Sequence, residues 1–490
     1  MKTCFNNELL CELKRQEKRI SFVLLGIIII LQILILYPKI GQGLIKDDFN
    51  WIENAAPTGK LDLLYSFSKT TGFYRPIVGV SFGLQYQLFG LSSKPFAIFN
   101  LLLHLMNILL LFFLLRRISK SYLMPLVIVF FFSFNFKGVL MGVGWISGRT
   151  TLLFSFFTFI AIHFFLTYEA KTKLKLNKLF LALCINLFFL LALLSKETAA
   201  ALPIFIFSYY FLKTNQEQLK FLNRVKNGVI NSVMLLPAFF IYLVMRFESD
   251  AFFSHNAPKC YKYDFSPLVI IKNFTEYVLR SSLLLFVFVF IIILILLLNK
   301  FRKKIQFNIS DIINSNSYFG LIWFISFLMP ILLIPYRSDI YVYFSQVGAL
   351  IFLTIIVSNI LKDYQKYKIN INVFVCFFFI IIFVQVSSFV GKSFSIYYEG
   401  KNSANFISQL SKEIKNIPKN TKFVIVDYDY KYKYSPSKTI SYGLLSFLNI
   451  QYPELKLKGK IITSKKSNLI NNNSLFFKWS NKKLSTTHTF

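Results

Sequence analysis

Residues 14–54, KRQEKRISFVLLGIIIILQILILYPKIGQGLIKDDFNWIEN, hold a basic cluster, an uncharged apolar run over 20–38 and an acidic pair, in that order. A run of this length crosses about 30 Å of hydrocarbon as a helix, whereas a single charge at bilayer depth costs about 2.5–3.5 kcal/mol. The stretch therefore reads as a membrane span with Lys14, Arg15, Lys18 and Arg19 on the cytoplasmic side and Asp47 and Asp48 emerging on the other. It is too long for the apolar region of a signal peptide and no small-residue cleavage site follows. A retained helix is expected, with the mature chain starting near Met1.

The same pattern recurs along the chain. Its 490 residues are 55% hydrophobic and include 59 phenylalanines, more apolar surface than one soluble core buries. Mean hydropathy is +0.55. Further charge-poor runs lie near 95–115, 122–141, 150–168, 179–194, 198–212, 229–245, 277–298, 318–335, 340–361 and 372–390, giving about eleven spans, with Lys137 and Arg280 near the ends of two of them. Later basic clusters lie at Arg116, Arg117 and Lys120, at 171–178, at 213–226, at 300–304 and at 362–368, each after an even number of spans. This order places the amino terminus inside and the carboxyl terminus outside. It also accounts for a net charge of +33 by topology and anionic lipid, with no nucleic-acid partner. Residues 76–93, PIVGVSFGLQYQLFGLSS, are at the lower limit of a span; counting them would put five basic loops outside, so they are expected to form an interfacial helix. Among the five cysteines, Cys184 and Cys376 fall in spans, Cys4 and Cys11 precede the first, and only Cys260 lies in a long loop. No disulfide or zinc framework is implied.

With this topology the outer side collects the residues able to do chemistry. Asp47, Asp48, Glu53 and Asp62 lie in the first loop, 39–94; Glu197 follows Lys196 in a tight hairpin; Glu248, Asp250 and Asp264 share a long loop; Asp339 follows Arg337. Arg75, Arg149, Lys196 and Arg337 each end an apolar helix on the side that the positive-inside trend leaves poor in cations, where an anionic headgroup would be held. The first loop is long, and too aromatic and apolar for disorder. Within the second span Asn100, His104 and Asn107 recur at spacings of four and three, on one helical face suited to interhelical hydrogen bonds. His163 stands alone in the fourth span.

Taken in order, DDFNWIENA, YRPIVGVSFGLQYQLFG, FNLLLHLMNILLLFFLLRR, GWISGRTTLLFSFFTF and LLSKETAAALP, with RSDIYVYFSQVGAL as a looser sixth, resemble the GT-C class of membrane glycosyltransferases. The branches most alike are the protein O-mannosyltransferase-like and lipid A aminoarabinose transferase-like ones. The resemblance implies a polyprenyl-phosphate-linked sugar donor, a protein, lipid or glycan acceptor, and a catalytic acid in the first outer loop, which maps to Asp47–Asp48 with Asp48 as the expected base. Arg75, Arg149, Lys196 and Arg337 become candidates to hold the leaving lipid phosphate. Glu197 is expected to be a structural partner of Lys196 or, with His104 and Asn100, part of an acceptor, metal or structural group. The acids leave a divalent ion open as a cofactor, and no His or Cys cluster implies one.

The expected fold is thus an all-α polytopic membrane protein, with residues 1–390 the GT-C-like catalytic part and 391–490 a small extracytoplasmic α/β domain. In the tail, TKFVIVDYDYKY reads as one strand, 402–416 and 440–449 as helices, and the Asn- and Lys-rich 465–483 as flexible. This domain has three candidate roles: acceptor binding, covering the site, or stabilising the fold. A bacterial cytoplasmic membrane is the expected location. Two rival functions remain, a transporter or flippase for lipid-linked sugars and a polysaccharide polymerase or ligase. Transporters should show paired halves and midplane charge, and neither is evident.

Overall fold

The first apolar run forms the greater part of α1, Lys2–Leu36, in a computed structural model that describes residues 2–55, 73–119, 121–170, 175–216, 220–249, 251, 261–301, 312–313, 315–367, 370–465 and 475–487. Asp62, Asp250, Cys260 and most lysines and arginines of the 171–178 and 300–304 clusters lie outside the described residues. After α1 come α2 (Asp48–Ala55), α3 (Pro76–Phe89), α4 (Ser93–Ser119), α5 (Leu123–Ser133), α6 (Phe136–Gly144), α7 (Arg149–Glu169) and α8 (Lys175–Leu193). They are followed by α9 (Leu202–Gln216), α10 (Phe221–Val233), α11 (Leu236–Glu248), α12 (Pro267–Phe301), α13 (Ser315–Leu332), α14 (Val342–Lys362) and α15 (Ile371–Ile414). Among the described residues six helices are long and apolar enough to cross a membrane, or up to eight if each of two bent pairs is one span. Three shorter apolar helices, within α8, α13 and the segment Glu197–Leu212, occupy the remaining expected positions. The chain is an integral, multi-pass membrane protein. Its outer surface accordingly shows large apolar side chains, such as Leu34, Phe290 and Phe383, that water would not tolerate in such number.

Two expected spans are broken. α5 and α6, read as one run over 122–141, meet at 63°. Asn135 makes this corner: its Oδ1 accepts from Lys137 N, while its Nδ2 donates to Arg280 O, Ser281 O and Gln346 Oε1. The side chain replaces the helical bonds that the break forfeits. α10 and α11 meet at 51° where Pro237, at the start of α11, has no N–H to continue the preceding helix. The doubtful segment 76–93 forms α3, whose 14 residues extend about 21 Å, short of the hydrocarbon thickness. It packs on α2 through the stacked rings of Trp51 and Phe82.

The centre of the bundle is α14, buried on nearly every side. It approaches α13 at Gly348 and Gly320, where a Cβ on Gly348 would lie 2.3 Å from Phe324 N and 2.5 Å from Gly320 O. Small residues let the backbones meet where lipid gives no hydrophobic drive for association. Around them Trp323, Phe327, Phe344, Phe154, Phe159 and Phe205 interlock with centroids 4.6–6.3 Å apart.

α15 runs unbroken for 44 residues, about 66 Å, through the last apolar run and on into the tail, so the helix expected at 402–416 is its continuation. The tail then forms β1 (Lys422–Asp427), short helices α16 (Pro436–Thr439) and α17 (Leu444–Gln451), and β2 (Lys458–Thr463), β3 (Leu475–Ser480) and β4 (Lys483–Thr487). The sheet order is β2-β1-β3-β4, with β1 parallel to both neighbours and β3–β4 antiparallel. β1 is central, and its run FVIVD is buried on both faces, as a strand in a covered parallel sheet requires. Part of the stretch read as flexible is ordered: Phe477 and Trp479 point into the core from β3, and Trp479 meets Phe406 of α15 edge to face. Period-2 burial outweighs the polar composition there. Residues 466–474 of that stretch lie outside the described residues.

Candidate active site

The acid pair follows an irregular segment after α1, at whose end Lys46 adopts a left-handed conformation (φ 53°). Asp48 is the first residue of α2 and is fully buried. Its Oδ2 accepts from Ile45 N (2.9 Å), and its Oδ1 accepts from Ser147 N (2.9 Å) and Ser147 Oγ (2.6 Å). Asp47 is half-buried, and its Oδ1 accepts from Trp145 Nε1 at 3.1 Å. DDFNWIENA and GWISGRTT therefore meet, Ser147 lying in the single 3-10 turn Ile146–Gly148 before α7. Burial raises the carboxyl of Asp47, with Ser147, Trp145 and Lys46 opposing. Burial and then the neighbouring charge of Asp47 push Asp48 up to about 7 in spite of its three donors. The geometry separates the two acids: Asp48 is enclosed and saturated with donors, and Asp47 keeps part of its surface open.

A second polar group lies where α3 begins and the hairpin 194–197 turns. Arg75, at the N-terminus of α3, forks onto Glu197 through Nε (3.0 Å) and Nη2 (2.6 Å), and its guanidinium lies over Phe73. Glu197 thus pairs with Arg75, whereas the sequence suggested Lys196. The buried Lys196 donates instead to Thr151 Oγ1 (2.7 Å) and lies 5.0 Å from the Tyr341 ring. Burial, then the charge of Arg75, lowers the Lys196 ammonium to about 7. Arg246 joins this group, donating to Tyr242 Oη at 2.6 Å and acting on Glu197 electrostatically. Tyr261 lines it through Phe73 and Tyr336, with ring centroids 5.2 Å away in both cases. Three cations face one carboxylate in a wall of aromatic rings, an arrangement that suits a phosphate.

Arg149 and Arg337 are placed differently. Arg149 is fully buried, and its guanidinium donates to Asn100 Oδ1 (3.0 Å), Ser81 Oγ (3.2 Å), Gln85 Oε1 (2.6 Å) and Phe96 O (3.1 Å). It ties α3, α4 and α7 together, and four hydrogen bonds to protein engage its guanidinium. Arg337 is exposed and pairs with Glu276, in a network where Arg280 bridges Glu276 and Asp339 and Lys137 reaches Asp339 at 3.6 Å. The face of Asn100, His104 and Asn107 makes interhelical bonds: Asn100 to Ile146 O (3.0 Å), His104 Nδ1 with Tyr343 Oη (2.8 Å), and Asn107 to Leu152 O (3.1 Å) and Tyr343 Oη (3.2 Å). His163 contacts Leu110 O. Among the described residues no three His, Cys, Asp or Glu side chains gather as a metal site, and Cys184 and Cys376 are free thiols.

The tail domain grips the acid loop, a contact that no sequence signal announced. Lys46 N donates to Thr439 O (2.5 Å), Ser403 Oγ to Leu44 O (2.5 Å) and Asn449 Nδ2 to Glu53 Oε1 (2.7 Å); Lys46 also pairs with Glu399 at 3.3 Å. Phe49 meets Phe447 edge to face, and at Gly443 a Cβ would lie 2.5 Å from Lys46 O. Trp145 and Ser147 could have been noted as polar members of the quoted GWISGR motif. Thr151 belongs to the same segment and Tyr341 to RSDIYVYFSQVGAL, whereas Arg246 lies in none of these segments and carried no spacing that would single it out.

No family model matches this sequence, and no curated protein matches it. Among solved structures the chain is similar to ArnT from Cupriavidus metallidurans in the apo state, at 13% identity over 93% of this chain and 92% of that one, with a TM-score of 0.47. It is similar also to the same protein bound to undecaprenyl phosphate, at 14% identity over 94% and 93% of the two chains and a TM-score of 0.47. The Archaeoglobus fulgidus oligosaccharyltransferase tethered with an acceptor peptide is 10% identical over 84% of this chain and 62% of that one, with a TM-score of 0.47. These are likenesses in the course of the chain and assign no residue a role.

Proposed function

We propose that the chain transfers a sugar from a polyprenyl-phosphate donor to an acceptor hydroxyl, with Asp47 as general base and Arg75, Lys196 and Arg246 around the lipid phosphate. The observation that carries this reading is that helix ends and the segments joining them in an apolar bundle carry both a half-buried carboxylate, held by Trp145, and a cation-rich aromatic recess. A donor with its tail in hydrocarbon would present its phosphate at such a boundary. The acceptor oxygen attacks the anomeric carbon and its proton passes to Asp47. The bond from that carbon to the phosphate oxygen breaks, its electron pair stays on the phosphate, and Lys196, Arg75 and Arg246 offset the charge that develops. The products are the glycosylated acceptor and polyprenyl phosphate, with inversion expected from direct displacement.

Asp48 was ranked first on the resemblance, but its enclosure by Ile45 N and Ser147 favours a positioning role behind Asp47. Arg149 and Arg337, engaged by protein partners, fit structural roles better than phosphate binding. Glu197, engaged by Arg75, orients that guanidinium in this reading, and no step needs a metal. The loops bearing the site would face outward, with the amino terminus inside, in a bacterial cytoplasmic membrane.

The test is consumption of a panel of polyprenyl-phosphate sugars by protein in nanodiscs. Wild type should consume one donor, and Asp47→Asn should lose about 10²–10⁴-fold, the span of general-base contributions. If wild type consumes none while a lipid-linked sugar crosses liposomes, a transporter replaces the transferase.

A further inference from the structure

The tail domain carries 17 lysines, no arginine and five acids over residues 391–490. Several of these lysines meet at one edge of the sheet. β1 ends in Asp427 with β2 beside it on one hand and β3 on the other, so the loop 428–435 rises from the point at which the strand order divides, the usual binding edge of parallel sheets. That loop is an alternation of tyrosine with aspartate or lysine, and its rings are paired with lysines: Lys478 lies 5.0 Å from Tyr428, Lys482 5.2 Å from Tyr432 and Lys433 5.1 Å from Tyr434. Tyr432 and Tyr434 meet edge to face at 5.6 Å, and Tyr434 continues onto Tyr398 of α15 at 5.9 Å. Tyr398, Tyr428 and Tyr432 are 45%, 41% and 36% exposed.

We propose that this tyrosine–lysine ridge binds an anionic saccharide, a glycan bearing carboxylate or phosphate groups. Exposed ring faces suit the C–H faces of pyranoses, and an ammonium group over one side of Tyr428, Tyr432 and Tyr434 suits charges repeated along a chain, which one bare lysine patch would not distinguish from any anion. Position favours a glycan over lipid headgroups: Tyr398 lies eight residues, about 12 Å along α15, beyond Val390 where the apolar run closes, further than the roughly 5–7 Å headgroup layer. Position also gives the ridge a use. The loop leads into α16, whose Thr439 O holds Lys46 N beside Asp47. A chain lying on the ridge is steered to the acids, so the saccharide is the acceptor; that last identification rests on the transferase reading.

Binding is tested without donor, so its failure and that of the transferase reading are separable. Full-length protein in phosphatidylcholine nanodiscs is titrated with polygalacturonate and with neutral dextran. Polygalacturonate should bind and dextran should not. Lys433→Gln/Lys482→Gln should weaken binding about tenfold, the order expected of two exposed cation contacts. Lys456→Gln/Lys460→Gln, an equal loss of charge at exposed positions by the opposite end of the sheet, should leave binding within about twofold. Equal loss in both pairs, equal binding of dextran, or no binding by wild type overturns the proposal. So does a ridge variant that keeps polygalacturonate and loses attachment to phosphatidylglycerol vesicles, which would make the ridge a membrane contact.

Discussion

Asp48→Asn should change how the stability of the protein depends on pH more than it changes the stability itself. Asp48 is fully buried next to a second carboxylate, and its carboxyl is pushed up to about 7, against an unfolded value of about 3.9. Between these values the folded chain holds a proton that the unfolded chain has released, so this group stabilises the fold at low pH and that contribution is lost as pH rises through about 7. From pH 5 to pH 8 the loss is about two units, on the order of 2–3 kcal/mol, most of it complete by pH 7. Asparagine removes the titration. It also sets an amide NH₂ against Ile45 N or Ser147 N, a penalty of about 1–3 kcal/mol that does not vary with pH. Thermal unfolding of wild type and variant in nanodiscs at pH 5 and pH 8 separates the two effects. The variant should be less stable at pH 5, and the gap should shrink or reverse by pH 8. A gap of the same size at both pH values would refute the buried acid pair.

Three other outcomes follow from the same geometry. Arg75→Met and Glu197→Met should each destabilise by about 1–3 kcal/mol because each leaves a half-buried charge without its partner, and the double variant should be less destabilised than the sum of the two, read by a double-mutant cycle of unfolding. Arg149→Lys should not rescue Arg149→Met in unfolding midpoint, since four acceptors on two neighbouring helices need the planar fork; each unpaired acceptor costs about 1–3 kcal/mol. Gly443→Ala places a Cβ 2.5 Å from Lys46 O, so donor consumption should fall about tenfold or more while the bundle's helical circular dichroism is kept, the magnitude expected for an ångström-scale misplacement of Asp47.

Much of the bundle was legible because apolar length is read locally. Each run of about 20 residues meets the bilayer's transfer free energy by itself, whatever its neighbours do, and the helices stand where those runs do. Where a run was misread, a single polar or cyclic side chain overrode hydropathy: Asn135 at the corner of α5 and α6, and Pro237 at the head of α11. The tail was the least legible part, since its strands are six residues or fewer and the central β1 finds both its neighbours, β2 and β3, only through residues distant in the chain.

By itself, then, the sequence determined the class of solvent, the apolar segments and a shortlist of chemistry-bearing residues, all properties that a chain carries position by position. Which of those residues meet was decided only by the packed bundle, because the deciding bonds join Asp48 to Ser147 across 99 positions and Arg75 to Glu197 across 122. Arg149 and Arg75 look alike as arginines at helix ends. Packing commits one to four acceptors inside the protein and leaves the other with a carboxylate at the rim of an aromatic recess, and a buried donor goes to whatever partner the fold brings within 3 Å.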